Sequence, residues 1–219
     1  MKSTTRVVNR FGKVKSIALC AVAIAVLTST PAVVGQNFFP QEFTFRMVRN
    51  PGLNPAFPNF LPNAHGRVKI ESVGPVEIMD VAVSGLPPNT DFDFFVIQVP
   101  KAPFGLAWYQ GDIETNRFGV GHQTFIGRFS IETFIVATGA APAPTPFNKP
   151  PFPDADTNPI TPPVQLYHLG LWFNNPQDAF NAGGPSTVTP FNGEHNAGVQ
   201  ILDTANFPDD FGPLRHVTP

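Results

Sequence analysis

Beyond residue 36 no stretch of this chain holds a long 3.6-residue apolar period. Prolines, glycines and asparagines cut it into short runs, and within those runs apolar and polar residues alternate. That pattern predicts strands and turns rather than helices. "EFTFRMV" puts Phe43, Phe45 and Met47 on one face. "RVKIESV" turns Val68 and Ile70 inward and Arg67, Lys69 and Glu71 outward. "VEIMDVAVSG" reads as a third strand whose apolar set changes face near Met79–Asp80, which predicts a bulge. In "DFDFFVI" Phe92, Phe94 and Val96 line one face, while Phe95 and Ile97, followed by Val99, line the other. A strand apolar on both faces is a central strand, with Asp91 and Asp93 expected at its wet end. Asp112 to Thr115 and His122 to Ile126 flank Asn116-Arg117-Phe118-Gly119, a hairpin signal with glycine at the left-handed position. Ile131 to Ala137 reads as a further strand.

From Thr138 to Pro163 nine residues are proline, and no regular ladder survives that density. Past it, "VQLYHLGLWF" reads as a strand. "NNPQDAFNAGG" predicts one short helix, with Asn175 as N-cap, Pro176 at the first position and Gly183 as stop. "STVTPF" and "GVQILDT" flank a second hairpin at "NGEHNA". The predicted organisation is a signal peptide over 1–35 and a β-sandwich over 36–140. A Pro-rich crossing segment over 141–163 follows, then a β-rich C-terminal part over 164–219 packed on the sandwich.

The corner Leu86-Pro87-Pro88-Asn89-Thr90-Asp91-Phe92 joins two of these strands, stiffened by the fixed φ of its prolines. Gly85, Leu86, Pro88, Thr90 and Phe92 follow the pattern G-L-x-P-x-T-x-aromatic. This resembles the corner of fibronectin type III and related immunoglobulin-like sandwiches, and the stretch is similar to secreted bacterial proteins. The resemblance implies an all-β, antiparallel immunoglobulin-like sandwich. In that family the aromatic is usually a tyrosine whose hydroxyl bonds back to the main chain; Phe92 has no hydroxyl to offer.

The N-terminus has the order of a secretory signal. Lys2, Arg6, Arg10, Lys13 and Lys15 form a basic head, "IALCAVAIAVL" an apolar run, and "TSTPAVVGQ" a small-residue tail. Cleavage after Gly35 is expected, with Ala32 as the alternative. The run is shorter than the roughly 20 residues that span a bilayer, so the exported chain is expected to be extracellular or periplasmic, with no membrane insertion after cleavage. The single cysteine, Cys20, leaves with the signal. That excludes disulfides, thiolate nucleophiles and cysteine-ligated zinc in the mature chain, which must hold together by burial. Five of the 14 Lys and Arg leave too, against 16 Asp and Glu that all stay. The acidic remainder disfavours nucleic acid and anionic lipid as partners. Twenty-two Phe against two Tyr and two Trp point to a core rather than a recognition surface, because phenylalanine has no polar handle.

Three groups of residues could carry chemistry. Asp112, Glu114 and His122 lie on the two arms of one hairpin, and the first two share a face. They are the residues a secreted hydrolase or a metal-dependent enzyme would use. Asp154, Asp156 and Asn158 in "PDADTN" have the x, x+2, x+4 spacing of calcium loops, although Pro159 stands where such a loop needs glycine and Gln165 where it needs glutamate. Calcium is the one cofactor the sequence suggests. Trp108, Tyr109 and Trp172 could form an aromatic platform for a sugar ring or an extended protein partner; sealed indoles would rule it out. Glu194-His195 is an acid–base pair at a predicted hairpin tip, where no cleft would tune it. No G-x-S-x-G and no H-x-x-x-H occurs. The expected function is therefore non-catalytic: a secreted β-sandwich module for extracellular binding, adhesion or structure, with a glycan or protein as partner.

Overall fold

The alternating runs do form strands. The computed structural model describes residues 41–102, 104–131, 133–134, 164–189 and 196–217. Among these are β1 (Glu42–Arg49), β2 (His65–Val73), β3 (Val76–Ser84), β4 (Asp91–Ile97), β5 (Ala107–Glu114), β6 (Gly121–Gly127) and β7 (Thr133–Phe134). Then come β8 (Val164–Gln165), β9 (His168–Phe173), the short helix α1 (Pro176–Asn181) and β10 (Gln200–Asp203). The all-β expectation is met, and α1 begins as its caps predict: Asn175 Oδ1 accepts the Asp178 N–H at 2.9 Å. The signal peptide, Asp154, Asp156, Asn158 and Glu194-His195 lie outside the described residues.

Among the described residues every pairing is antiparallel. Eight strands follow the order β5-β4-β9-β10-β1-β2-β3-β6, while β7 and β8 pair with each other. The two ends of that order, β5 and β6, belong to one hairpin and touch through the bridge Thr115–Gly121, so the sheet is nearly closed. On the far side β1 meets β10 through two pairs, Val48–Asp203 and Arg49–Leu202. By contrast, β2 and β3 run in unbroken register from His65–Ser84 to Val73–Val76 around the two-residue turn Gly74-Pro75. β9 and β10, which follow the proline-rich segment, lie in the middle of the sheet between β4 and β1.

The bulge expected at Met79–Asp80 is absent. β3 keeps register with both β2 and β6, and Met79, Val81 and Val83 all face inward. What mimicked a change of face is Glu77, a carboxylate on the inward side. The irregularity lies between β4 and β5 instead: Phe94 pairs with Gly111 and Phe95 with Tyr109, leaving Gln110 over. Asp93 departs from expectation too. It is buried, with Asp112 across on β5 and Trp172 across on β9. Of the strand expected over Ile131 to Ala137, Thr133–Phe134 is described as strand.

β4 is covered on both faces, as its two-sided pattern predicts. Phe92, Phe94 and Val96 join the main core with Met47, Ile70 and Phe173, while Phe95 and Ile97 pack with Trp172 and Ala197 in a second cluster. Phe94 stacks on Phe125 of β6 with ring centres 5.2 Å apart. Not every phenylalanine is inside: Phe118, Phe180 and Phe211 are exposed.

Glu77 is buried because a turn supplies its donors. Its Oε2 accepts the Ser130 N–H at 2.8 Å and its Oε1 accepts the Ser130 hydroxyl. Removing the acceptor strands two buried donors, each costing about 1–3 kcal/mol. Glu77→Ala is therefore expected to lose about 3 kcal/mol, and Glu77→Gln, which keeps one acceptor oxygen, about 1 kcal/mol. Urea unfolding midpoints of the three proteins check the order; equal losses in the two variants would contradict it.

The Pro-Pro corner between β3 and β4 is strapped to the β5–β6 hairpin. Thr115 Oγ1 donates to the Pro87 carbonyl at 2.6 Å and accepts the Thr90 N–H at 3.0 Å. Leu86 N–H donates to the Gly119 carbonyl at 3.3 Å and Asn89 N–H to the Asn116 carbonyl at 3.2 Å. A threonine hydroxyl thus ties this corner down, while Phe92 is buried against Phe173 with ring centres 4.8 Å apart.

Candidate functional site

β5 pairs with β4 on one side, and among the described strands its other side continues only into the Thr115–Gly121 bridge. An edge strand has fewer neighbours to cover its side chains. Trp108 is 51% exposed and Tyr109 46%. Adjacent residues on a strand point to opposite faces, so the two rings offer two surfaces rather than one. Tyr109 leans edge-on against Phe95, ring centres 5.5 Å apart, and its hydroxyl donates to Asp112 Oδ1 at 2.5 Å. Trp172, the third residue of the expected platform, is elsewhere. It sits on central β9, sealed between Phe95 and Phe104 at 5.3 and 5.1 Å.

Carboxylates line the other end of β5, beyond the two rings. Asp112 stands opposite Asp93 and Glu114 opposite Asp91. Like charges directly opposite in a sheet repel. The Asp91 carboxyl is accordingly held above its ordinary range, first by burial and then by the charge of Asp112, with Glu114 and Asp178 adding to it and the Phe92 N–H acting the other way. Burial, and then the bond to Asp112, likewise hold the Tyr109 phenol above its ordinary value. Asn89, Thr90, Asp91, Glu114 and Thr115 line a recess of about 320 Å³ at this end. Elsewhere on the described surface acids meet cations: Lys69 pairs with Glu42 and Glu71, and Lys101 with Asp209.

His122 does not join Asp112 and Glu114. It lies on β6 opposite Ala82, and its Nε2 is 3.9 Å from Asp80 on β3. Among the described residues no group of three His, Cys, Asp or Glu side chains is placed to hold a metal ion.

Two histidine arrangements escape sequence reasoning. His168 is buried between Thr204 and Pro208. The Pro208 carbonyl, 3.1 Å from Nε2, can only accept, so Nε2 carries the proton. Nδ1 then accepts from the Thr204 hydroxyl at 2.9 Å, and that oxygen takes the Leu169 N–H at 3.2 Å. Burial lowers the imidazole pKa, with the neighbouring backbone groups opposing it. This histidine is a structural joint. His65 pairs across the sheet with Ser84, whose Oγ lies 2.9 Å from Nε2, and the Asn63 carbonyl lies 2.8 Å from Nδ1. By the same logic Nδ1 is protonated and Nε2 accepts from Ser84. The pair has the orientation of a base and a nucleophile, but the imidazole stands in solvent at the end of a ladder, without the water-excluded setting that such chemistry needs. The Gly74-Pro75 turn is the signal that could have found it, because a two-residue turn sets the register that brings residue 65 opposite 84.

These features define an antiparallel all-β protein with an aromatic, acidic edge. Neither protein-family models nor curated proteins give a match to the chain.

Proposed function

We propose that this chain is a secreted, non-catalytic binding module with an immunoglobulin-like sandwich fold, and that its ligand surface is the β5 edge. The sandwich reading rests on two four-stranded ladders, β1-β2-β3-β6 and β5-β4-β9-β10, joined at two corners. Export rests on the basic, apolar and small-residue order of the N-terminus. The observation that carries the function is the half-exposure of Trp108 and Tyr109 on one edge strand, in a chain whose aromatic content is otherwise almost all phenylalanine.

The partner this edge suits is an extracellular glycan. The Trp108 indole covers the C–H face of a sugar ring on one side of the strand. On the other side the Tyr109 ring does so, with Asp112 beside it to accept from the sugar hydroxyls. The test is a glycan array and a cell-surface panel probed with the secreted protein. Binding is expected, weakened at least about tenfold by Trp108→Ala, since one buried aromatic contact is worth over 1.4 kcal/mol. The melting temperature of that variant should stay within a degree or two of the parent, because the ring is half in water. Uniform absence of binding, or binding indifferent to Trp108 and Tyr109, would remove the proposal.

A further inference from the structure

The joint between β1 and β10 holds an unusual side chain. Asp203 closes β10, opposite Val48 on β1 and Gly170 on β9, and is 0% exposed. Its Oδ1 accepts the Ala205 N–H at 2.9 Å, while its Oδ2 is buried without a hydrogen-bond partner. A carboxylate in that position would keep a charged oxygen out of water with no donor to meet it.

The cations and titratable groups on the surrounding elements are otherwise engaged. On β1, Arg46 is exposed, and the Arg49 guanidinium is spent on Asn54 and on the Phe57 and Phe60 carbonyls. On β9, His168 is locked between Thr204 and Pro208. In the loop after β10, Asp209 pairs with Lys101 at 2.8 Å. Among the described residues Asp203 therefore has no counter-charge. It also sits where the sheet is thinnest. Two ladder pairs and the bonds of Asn50 to Ile201 and Gln200 join β1 to β10, whereas β1 meets β2 along nearly its whole length.

We infer that the β1–β10 joint is a pH-responsive seam, closed while Asp203 is protonated and loosened when it ionises. Burial holds the Asp203 carboxyl up at about 7, with the Ala205 N–H acting in the opposite direction. In the unfolded chain the same group titrates near its ordinary value of about 3.9. The folded state therefore binds the proton more tightly, and the stability this supplies is complete below about pH 4. It falls away as pH rises toward 7 and is gone above it. Opening the short seam rehydrates the carboxylate without disturbing the long β2–β3 ladder, so local opening is the cheapest relief.

Amide hydrogen exchange of the full secreted protein between pH 5.5 and 8.5, corrected for intrinsic rates, tests this. The amides of residues 48–50 and 201–203 are expected to lose protection at least tenfold more than those of β2 and β3 as pH passes 7. Asp203→Asn should abolish the difference. A seam whose protection tracks β2 and β3 across the range would overturn the inference, as would an Asp203→Asn variant with the parent's pH response. Should that variant fail to fold, the carboxyl carbon-13 titration of Asp203 in the parent protein decides: a midpoint near 7 supports the seam, and one below 5 overturns it.

Discussion

A Phe94→Ala variant is expected to lose about 4 kcal/mol of unfolding free energy, the range for removing a buried phenyl ring being about 3–5 kcal/mol. Phe94 lies on β4 between β5 and β9, with no exposed surface. Its ring stacks on Phe125, which belongs to β6 at the opposite end of the strand order, with the planes 10° apart. The contact therefore links β6, at one end of the nearly closed sheet, to β4, next to the other end, through the interior. Because Phe125 also presses against Gly111, the atom Cε1 lying 3.0 Å from where a Cβ would stand, it has little room to follow into the gap. A cavity that cannot collapse is the costly kind. The control is Phe118→Ala at the hairpin tip, the same chemical change at a ring 71% exposed, expected within about 0.5 kcal/mol of the parent. Guanidinium unfolding of the three proteins decides it. A loss below 1 kcal/mol at Phe94 would mean that the two halves do not meet there.

Gly119→Ala is expected to cost about 3 kcal/mol or to prevent accumulation of folded protein. Gly119 has φ +69°, where an L side chain costs about 1–2 kcal/mol by itself. An added Cβ would also stand 2.0 Å from the Leu86 carbonyl oxygen, inside the strap that holds the Pro-Pro corner to the hairpin. Main chain cannot step aside as a flexible side chain can, so the bond from Leu86 N–H to the Gly119 carbonyl must stretch or break. Gly74→Ala separates the two costs. Gly74 has φ +59° in its own turn, with open space around the Cβ position, and should lose only the conformational part, about 1–2 kcal/mol. Melting temperatures of the two variants give the comparison. Equal shifts would mean that the corner yields to Gly119 and the strap is slack.

How much of this was legible depended on how near each residue's partner lies in the chain. The helix at Asn175 and Pro176 was legible because a cap needs only the next three residues. The two faces of β4 were legible because alternation records burial strand by strand. Glu77 was not. Its reason to face inward is Ser130, 53 positions away, and without that partner a buried carboxylate looks like a change of face. The two tryptophans make the same point for the candidate site. Both lie in apolar strand contexts, yet Trp172 is sealed and Trp108 half open, because β9 has a strand on each side and β5 does not. No local pattern counts neighbouring strands. Asp112, Glu114 and His122 shared a hairpin on paper, but β6 carries His122 to Asp80, a residue on β3.

The sequence alone determined most of the secondary structure of the described residues: period-two alternation, caps and two-residue turns. These are preferences settled within a few residues, by φ, ψ and local hydrogen bonds. Only the tertiary structure decided the strand order. It set β9 and β10 in the centre of the sheet, β5 at an edge with its aromatics half in water, and Asp203 in a seam with no counter-charge among the described residues. Those outcomes follow from burial summed over strands far apart in the chain, and no short run of residues encodes that sum.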